Sequence, residues 1–148
     1  VRADKYLSQL SRLDALINNK LQEKQWVTEL ALHITPSLTG MPRPSGTTDK
    51  VGNTAVRLAM LEREIDRIVD QLIDTRVEVV KLLESLPHDE YNVLHQYYVQ
   101  GNTMEAIAAG WIPKPRSERQ IYRIKHRAVR HVQAILDAKE ARRKQRET

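Results

Sequence analysis

Apolar residues recur at spacings of three and four near the start of the chain. Tyr6, Leu10, Leu13, Ile17 and Leu21 hold the helical period, and Val27, Leu30, Ala31 and Ile34 continue it less regularly. No Gly or Pro interrupts the segment, so it predicts one long helix from about Ala3 to Ile34. "TPSLTGMPRPSGTTD" follows, Thr35 to Asp49, with three Pro and two Gly among small polar residues. It reads as a loop, with Asp49 placed to cap the next helix. The next segment is strictly heptadic. Val51, Leu58, Ile65, Leu72, Val79 and Leu86 lie seven apart, and Thr54, Leu61, Ile68, Thr75 and Leu82 interleave with them. Such an a/d stripe predicts a second long helix in a coiled coil or helical hairpin. At 1.5 Å per residue it would run about 50 Å and could not bury its stripe alone, so it needs the first helix, a second protomer, or both.

Pro87 ends that helix, because the residue before a proline is disfavoured in the α region. Shorter pieces follow. Asp89 is placed to cap a helix with Val93, Leu94, Tyr97 and Tyr98 as its apolar positions, and Gly101 to close it. Asn102 and Glu105 have capping-box spacing and would open "TMEAIAAG", a helix of about two turns ending at Gly110. "WIPKP" reads as a turn with Trp111 as its apolar plug. Ser117 and Gln120 repeat the capping-box spacing and open "SERQIYRIKHRAVRHV".

That last segment has two unlike faces. At 100° per residue, Ile121, Ile124, Ala128, Val132 and Ile135 fall on one side. Arg119, Arg123, His126 and Arg130 fall on the other, with Tyr122 and Arg127 flanking them. One face can pack while the other offers long cations to the major groove, where Arg can bond a guanine edge bidentately. Lys114 and Arg116, just before the helix, can neutralise phosphates, and the free amides of the first turn, capped by Ser117 and Gln120, can bind one as well. Lys114, Arg116, Ser117, Arg119, Gln120, Tyr122, Arg123, His126, Arg127 and Arg130 are therefore the candidate DNA-binding residues. The bland alternative is a solvated basic face on an ordinary terminal helix.

Charge sharpens this picture. The chain carries a net +5, unevenly placed. Residues up to Trp111 hold 12 Lys/Arg against 15 Asp/Glu, a net of −3, and Ile112 to Thr148 hold 12 against 4, a net of +8. That asymmetry suits a polyanion-binding end on a body with another task. Composition adds exclusions. There is no Cys, hence no disulfide or thiolate chemistry. Phe is absent, so any core is aliphatic in the main. No apolar run approaches the roughly 20 residues a bilayer span needs, and no secretory signal opens the sequence. The five His have no i, i+4 pair and no H-E-x-x-H, and neither a P-loop nor G-x-G-x-x-G is present. Glu62, Glu64, Asp66 and Asp70 read as the solvated face of the long helix. The expectation is a non-enzyme without catalytic residues, metal or cofactor.

The helix, turn and capped basic helix, walled by the helix before them, form a helix-turn-helix pattern. "LPHDEYNVLHQYYVQGNTMEAIAAGW" with "SERQIYRIKHRAVRHV" resembles region four of the sigma-70 factors. The matching features are Leu86-Pro87, Tyr97-Tyr98, Ile107-Ala108 and the basic helix from Ile121 to Val132. The turn "GWIPKPRS" is about three residues longer than that module's usual turn. Long N-terminal helices, a Pro/Gly/Ser loop and this module together resemble the phage-encoded ArpU/RinA-type late-gene regulators.

The expected fold is all-α. Residues 1–86 form two long coiled-coil-like helices for assembly or partner contact, 87–138 a three-helix helix-turn-helix module, and 139–148 a basic tail. The resemblance implies a sequence-specific duplex-DNA-binding regulator of phage late genes. It would act with host RNA polymerase in the bacterial cytoplasm, as a homo-oligomer through the long helices and without membrane contact. Two other classes stand beside it. A phage small terminase subunit also joins a helix-turn-helix to a helical oligomerisation region, with the DNA-binding part usually N-terminal. A helical adaptor with a basic tail would not bind DNA at all. Ring size separates the first two, and salt-dependent duplex binding excludes the third.

Overall fold

The computed structural model describes the backbone of residues 1–34 and 45–148, and the side chains of 1–33 and 52–148. The fold is all-α. It comprises α1 (Ala3–Ile34), α2 (Ser45–Leu83), α3 (His88–Leu94) continued by a π-helical turn (His95–Val99), α4 (Met104–Ala109) and α5 (Glu118–Glu147). No helix among the described residues is long and apolar enough to cross a membrane. The chain divides into two compact units, one of residues 1–12 with 73–148 and the other of residues 13–72.

In the unit of residues 13–72, α1 and α2 run antiparallel. Lys20 Nζ pairs with Glu64 at 2.7 Å, Lys24 with Glu62 at 3.3 Å, and Arg57 with Glu23 at 2.7 Å. The Lys20 ammonium, by hydrogen bond and charge, holds the Glu64 carboxyl below its usual range. Exposed pairs such as these fix register more than they stabilise. The heptad stripe is the packed side of α2. Leu61, Ile65 and Ile68 are buried, and Thr54, Leu58 and Leu72 half-buried. On α1, Val27 is buried, Leu13 and Ile17 are half-buried, and Leu21 is exposed, although the periodicity placed it on the packing face.

The other unit has a fuller interior. Leu7 and Leu10 of α1 and Val79, Leu82 and Leu83 of α2 are buried there. The Gln133 side chain of α5 bonds the start of α1. The Gln133 amide accepts from the Ala3 backbone N–H at 2.8 Å and donates to the Val1 carbonyl at 2.8 Å. Tyr6 donates its hydroxyl to Glu78 at 3.2 Å. The expected boundary at 86/87 is thus not where compactness changes, because both ends of the long-helix region pack with the C-terminal helices.

Several element ends differ from the sequence expectation. α2 starts at Ser45, so Asp49 lies inside the helix rather than capping it, and it stops at Leu83, before Leu86. Residues 35–44 of the expected loop, and the side chains of Ile34, Asp49 and Val51, lie outside the described residues. Asp89 sits in the first turn of α3, whose N-cap is Pro87. Thr103, not Asn102, caps α4, its hydroxyl accepting from Ala106 N–H at 3.1 Å. Asn102 is already engaged, since its N–H donates to the Gln96 carbonyl and its side chain to Gln100. Gly101 does close the preceding helix, at φ +75°, a left-handed conformation costly for any residue with a Cβ. α5 runs unbroken to Glu147, so the basic tail is helical.

Candidate nucleic-acid interface

The α4–turn–α5 segment is built over a small apolar core. Val93, Met104, Ile107, Ala108, Trp111, Ile121 and Ile124 form it, with Tyr97 packed alongside. Trp111 is indeed the plug beneath the turn. The longer turn is tied back on itself. The carbonyl of Ala108 accepts from the Arg116 N–H at 3.0 Å, and Gly110 N–H bonds the Ala106 carbonyl. The Arg116 guanidinium lies 5.0 Å over the Trp111 ring and 3.7 Å from Asp89. The Ile112–Pro113 bond within this turn is cis.

α5 begins with a complete capping box. Ser117 Oγ accepts from Gln120 N–H at 3.2 Å, and Gln120 Oε1 accepts from Ser117 N–H at 3.1 Å. With the helix start fixed, its faces are fixed too. Ile121, Ile124, Ala128 and Val132 are buried, and Ile135 is half-buried. Arg119, Arg123, His126 and Arg130 are exposed on the opposite side and have no side-chain partner among the described residues. The same holds for Tyr122 and for Lys114 in the turn. Among the described residues no ion pair or hydrogen bond engages these side-chain charges, so they are open to an anion in solvent.

The ten candidate residues therefore separate by what they touch. Lys114, Arg119, Tyr122, Arg123, His126 and Arg130 are open. Arg116, Ser117, Gln120 and Arg127 are engaged in holding the module together. Of the two cations just before α5, Arg116 lies over Trp111 and beside Asp89, while Lys114 is exposed.

Three participants were missed. Glu90 is 1% exposed, and it binds Arg127 and His131 of α5 with separate carboxylate oxygens. Lys125 lies 4.1 Å from the Tyr97 ring centroid, fixing the inner flank of α5 against the π-helical turn. One signal was present for Glu90: it precedes Val93, Leu94 and Tyr97 by three, four and seven, on the apolar side of α3. A carboxylate in that row needs a buried partner. Among the described residues, no group of three or more His, Asp or Glu is placed to hold a metal ion.

Compared with known proteins, the chain matches no family model, no curated protein and no solved structure.

Proposed function

We propose that this chain is a sequence-specific duplex-DNA-binding transcriptional regulator of the phage late-gene type. It acts with host RNA polymerase in the bacterial cytoplasm. The observation that carries the reading is the row Arg119, Arg123, His126 and Arg130. These residues are exposed, without a side-chain partner among the described residues, on a helix whose other side is sealed into the α3–α4–α5 core. A capped helix of this kind fits the major groove, with long cations reaching base edges and phosphates. Exposed Leu16, Leu21, Trp26, Leu30, Val56 and Met60 on α1 and α2 support assembly as a homo-oligomer through the long helices. The packaging alternative, a small terminase subunit, shares the DNA contact and would be recognised by rings of many subunits.

The test uses a duplex enriched from a random pool by the wild-type protein. If about 5 phosphates are neutralised per protomer, log affinity falls against log salt with a slope near −4 to −5. Replacing Arg119, Arg123 and Arg130 together with Ala removes specific binding and leaves melting little changed, since exposed substitutions stay within about 0.5 kcal/mol each. Arg123→Ala alone relaxes sequence preference, because base-reading contacts are worth roughly 1–3 kcal/mol each. Wild-type affinity that is flat in salt sinks the reading.

A further inference from the structure

Arg127 and Glu90 form an arrangement that packing alone does not require. Arg127 Nε donates to Glu90 Oε1 at 2.9 Å, and His131 Nδ1 lies 2.6 Å from Glu90 Oε2. Both carboxylate oxygens are thus used, on a side chain that is 1% exposed. Arg127 itself remains 58% exposed. A guanidinium carries five N–H donors in a planar fork. Here Nε is fixed to the buried carboxylate, and neither Nη group has a protein partner among the described residues. The outer edge of the fork is held in one orientation and left open to solvent.

Its place on α5 says what that edge would meet. Arg127 follows Arg123 by four residues, which turns it about 40° past Arg123 and about 60° from the centre of the Arg119–Arg123–Arg130 row, toward the side where α3 packs. When a helix lies in the major groove, the central row faces base edges and the flanks face the phosphate-lined walls. We infer that Glu90 is a positioning residue that pins Arg127 as a preorganised clamp for a DNA backbone phosphate. This inference rests on the reading of α5 as a duplex-binding helix. A free Arg loses its rotamer freedom when it meets a phosphate, whereas a pinned one has lost much of it on folding. The same bond explains why Arg rather than Lys stands at 127. A single ammonium on a flexible stem does not offer one fixed edge to Glu90 and another to a phosphate.

The experiment measures binding of two unrelated mixed-sequence duplexes across a salt series, with thermal melting of each protein in parallel. Arg127→Gln keeps a donor for Glu90 but removes the charge. It is expected to weaken both duplexes alike, roughly tenfold, and to flatten the salt slope by about 1. Arg127→Lys keeps the charge, so the slope stays near wild type while affinity falls several-fold. Glu90→Gln keeps Arg127 but loosens it, with the same signature as Arg127→Lys. Should Glu90→Gln fail to fold, the two Arg127 variants decide. Wild-type affinity and slope in Arg127→Gln, with only melting affected, would overturn the inference and leave Glu90–Arg127 a fold contact. A loss confined to one duplex would also overturn it, by making Arg127 a base reader. If the wild type itself binds without salt dependence, the DNA reading falls first and this inference with it.

Discussion

In the unit that holds α3, α4 and α5, Val93, Leu94, Ile107, Ile121, Ala128 and Val132 are closed off from solvent. Among the described residues of the unit 13–72, the buried apolar side chains are Val27, Leu61, Ile65 and Ile68, while Leu16, Leu21, Trp26, Leu30, Leu32, Val56 and Met60 stand exposed. Both regions are rich in aliphatic residues at helical spacing. The difference lies in the number of walls. Two helices touch along one seam and leave the flanks of each apolar stripe in water, whereas three or more helices crossing one another enclose a volume. Periodicity reports which side of a helix packs, and enclosure depends on what arrives from elsewhere in the chain.

The most severe break of this contrast is a charge placed in each interior. Ile121 is fully buried at the centre of the core beneath α5. Ile121→Asp would leave an uncompensated charge there, at a cost of several kcal/mol, a large share of the 5–15 kcal/mol that typically holds a domain. Unit 1–12 with 73–148 is expected to unfold, with loss of duplex binding. Ile65→Asp sits in a two-helix seam beside solvent, where the carboxylate can swing out. Its expected result is partial loss of helical circular dichroism, with duplex binding by the folded α5 module retained. Equal destabilisation by the two substitutions would show that the seam is as enclosed as the core.

The same contrast explains what could be read in advance. The stripe of α2 is legible because seven-residue spacing puts Leu61, Ile65, Ile68, Val79 and Leu82 on one side whatever they pack against, and all five are buried. The two faces of α5 are legible for the same reason, as Ile121, Ile124, Ala128 and Val132 are buried and Arg119, Arg123 and Arg130 exposed. Gly101 and the Ser117–Gln120 box are local devices, and both stand where their spacing predicts. What escaped depends on distant residues. Glu90 finds its partners 37 and 41 positions away, and Gln133 reaches back more than 100 residues to Val1 and Ala3. Asn102 lost the cap of α4 because Gln96 and Gln100 compete for its polar groups, a contest that spacing alone does not settle.

A smaller effect separates the units by pH. His95, in the π-helical turn, has its pKa lowered, first by burial and then by the Arg76 charge, with Glu84 opposing. Its ring lies tilted against Tyr91, with centroids 5.4 Å apart, and Nδ1 lies 2.9 Å from Gln100 Nε2. A depressed histidine pKa means that the unfolded chain takes up the proton first. Stability from this group is therefore fully present above the unfolded value of about 6.5, and is lost as pH falls from there through the folded pKa. The melting temperature of the unit containing His95 is expected to drop on acidification through that window, and His95→Gln should reduce the drop. An unchanged pH profile in the variant would assign the effect to other groups.

The gentlest probe uses the indoles, because the chain holds two Trp and each unit contains one. Trp111 is 5% exposed in the core under the turn, and Trp26 on α1 is 61% exposed. Trp26→Phe leaves only the enclosed indole, so emission should shift to the blue and resist quenching by iodide. Trp111→Phe leaves only the open indole, with red-shifted and readily quenched emission. The second variant also reports on assembly. A second protomer lying along α1 would shield Trp26, so blue-shifted, quench-resistant emission would mean that this side of α1 is covered in solution. Dilution then decides between a covering copy and a covering loop. Emission that reddens as protein concentration falls identifies a second copy, while emission independent of concentration assigns the cover to the chain itself. A Trp26 that is red and quenchable at every concentration would remove this stretch of α1 from the proposed oligomer contact.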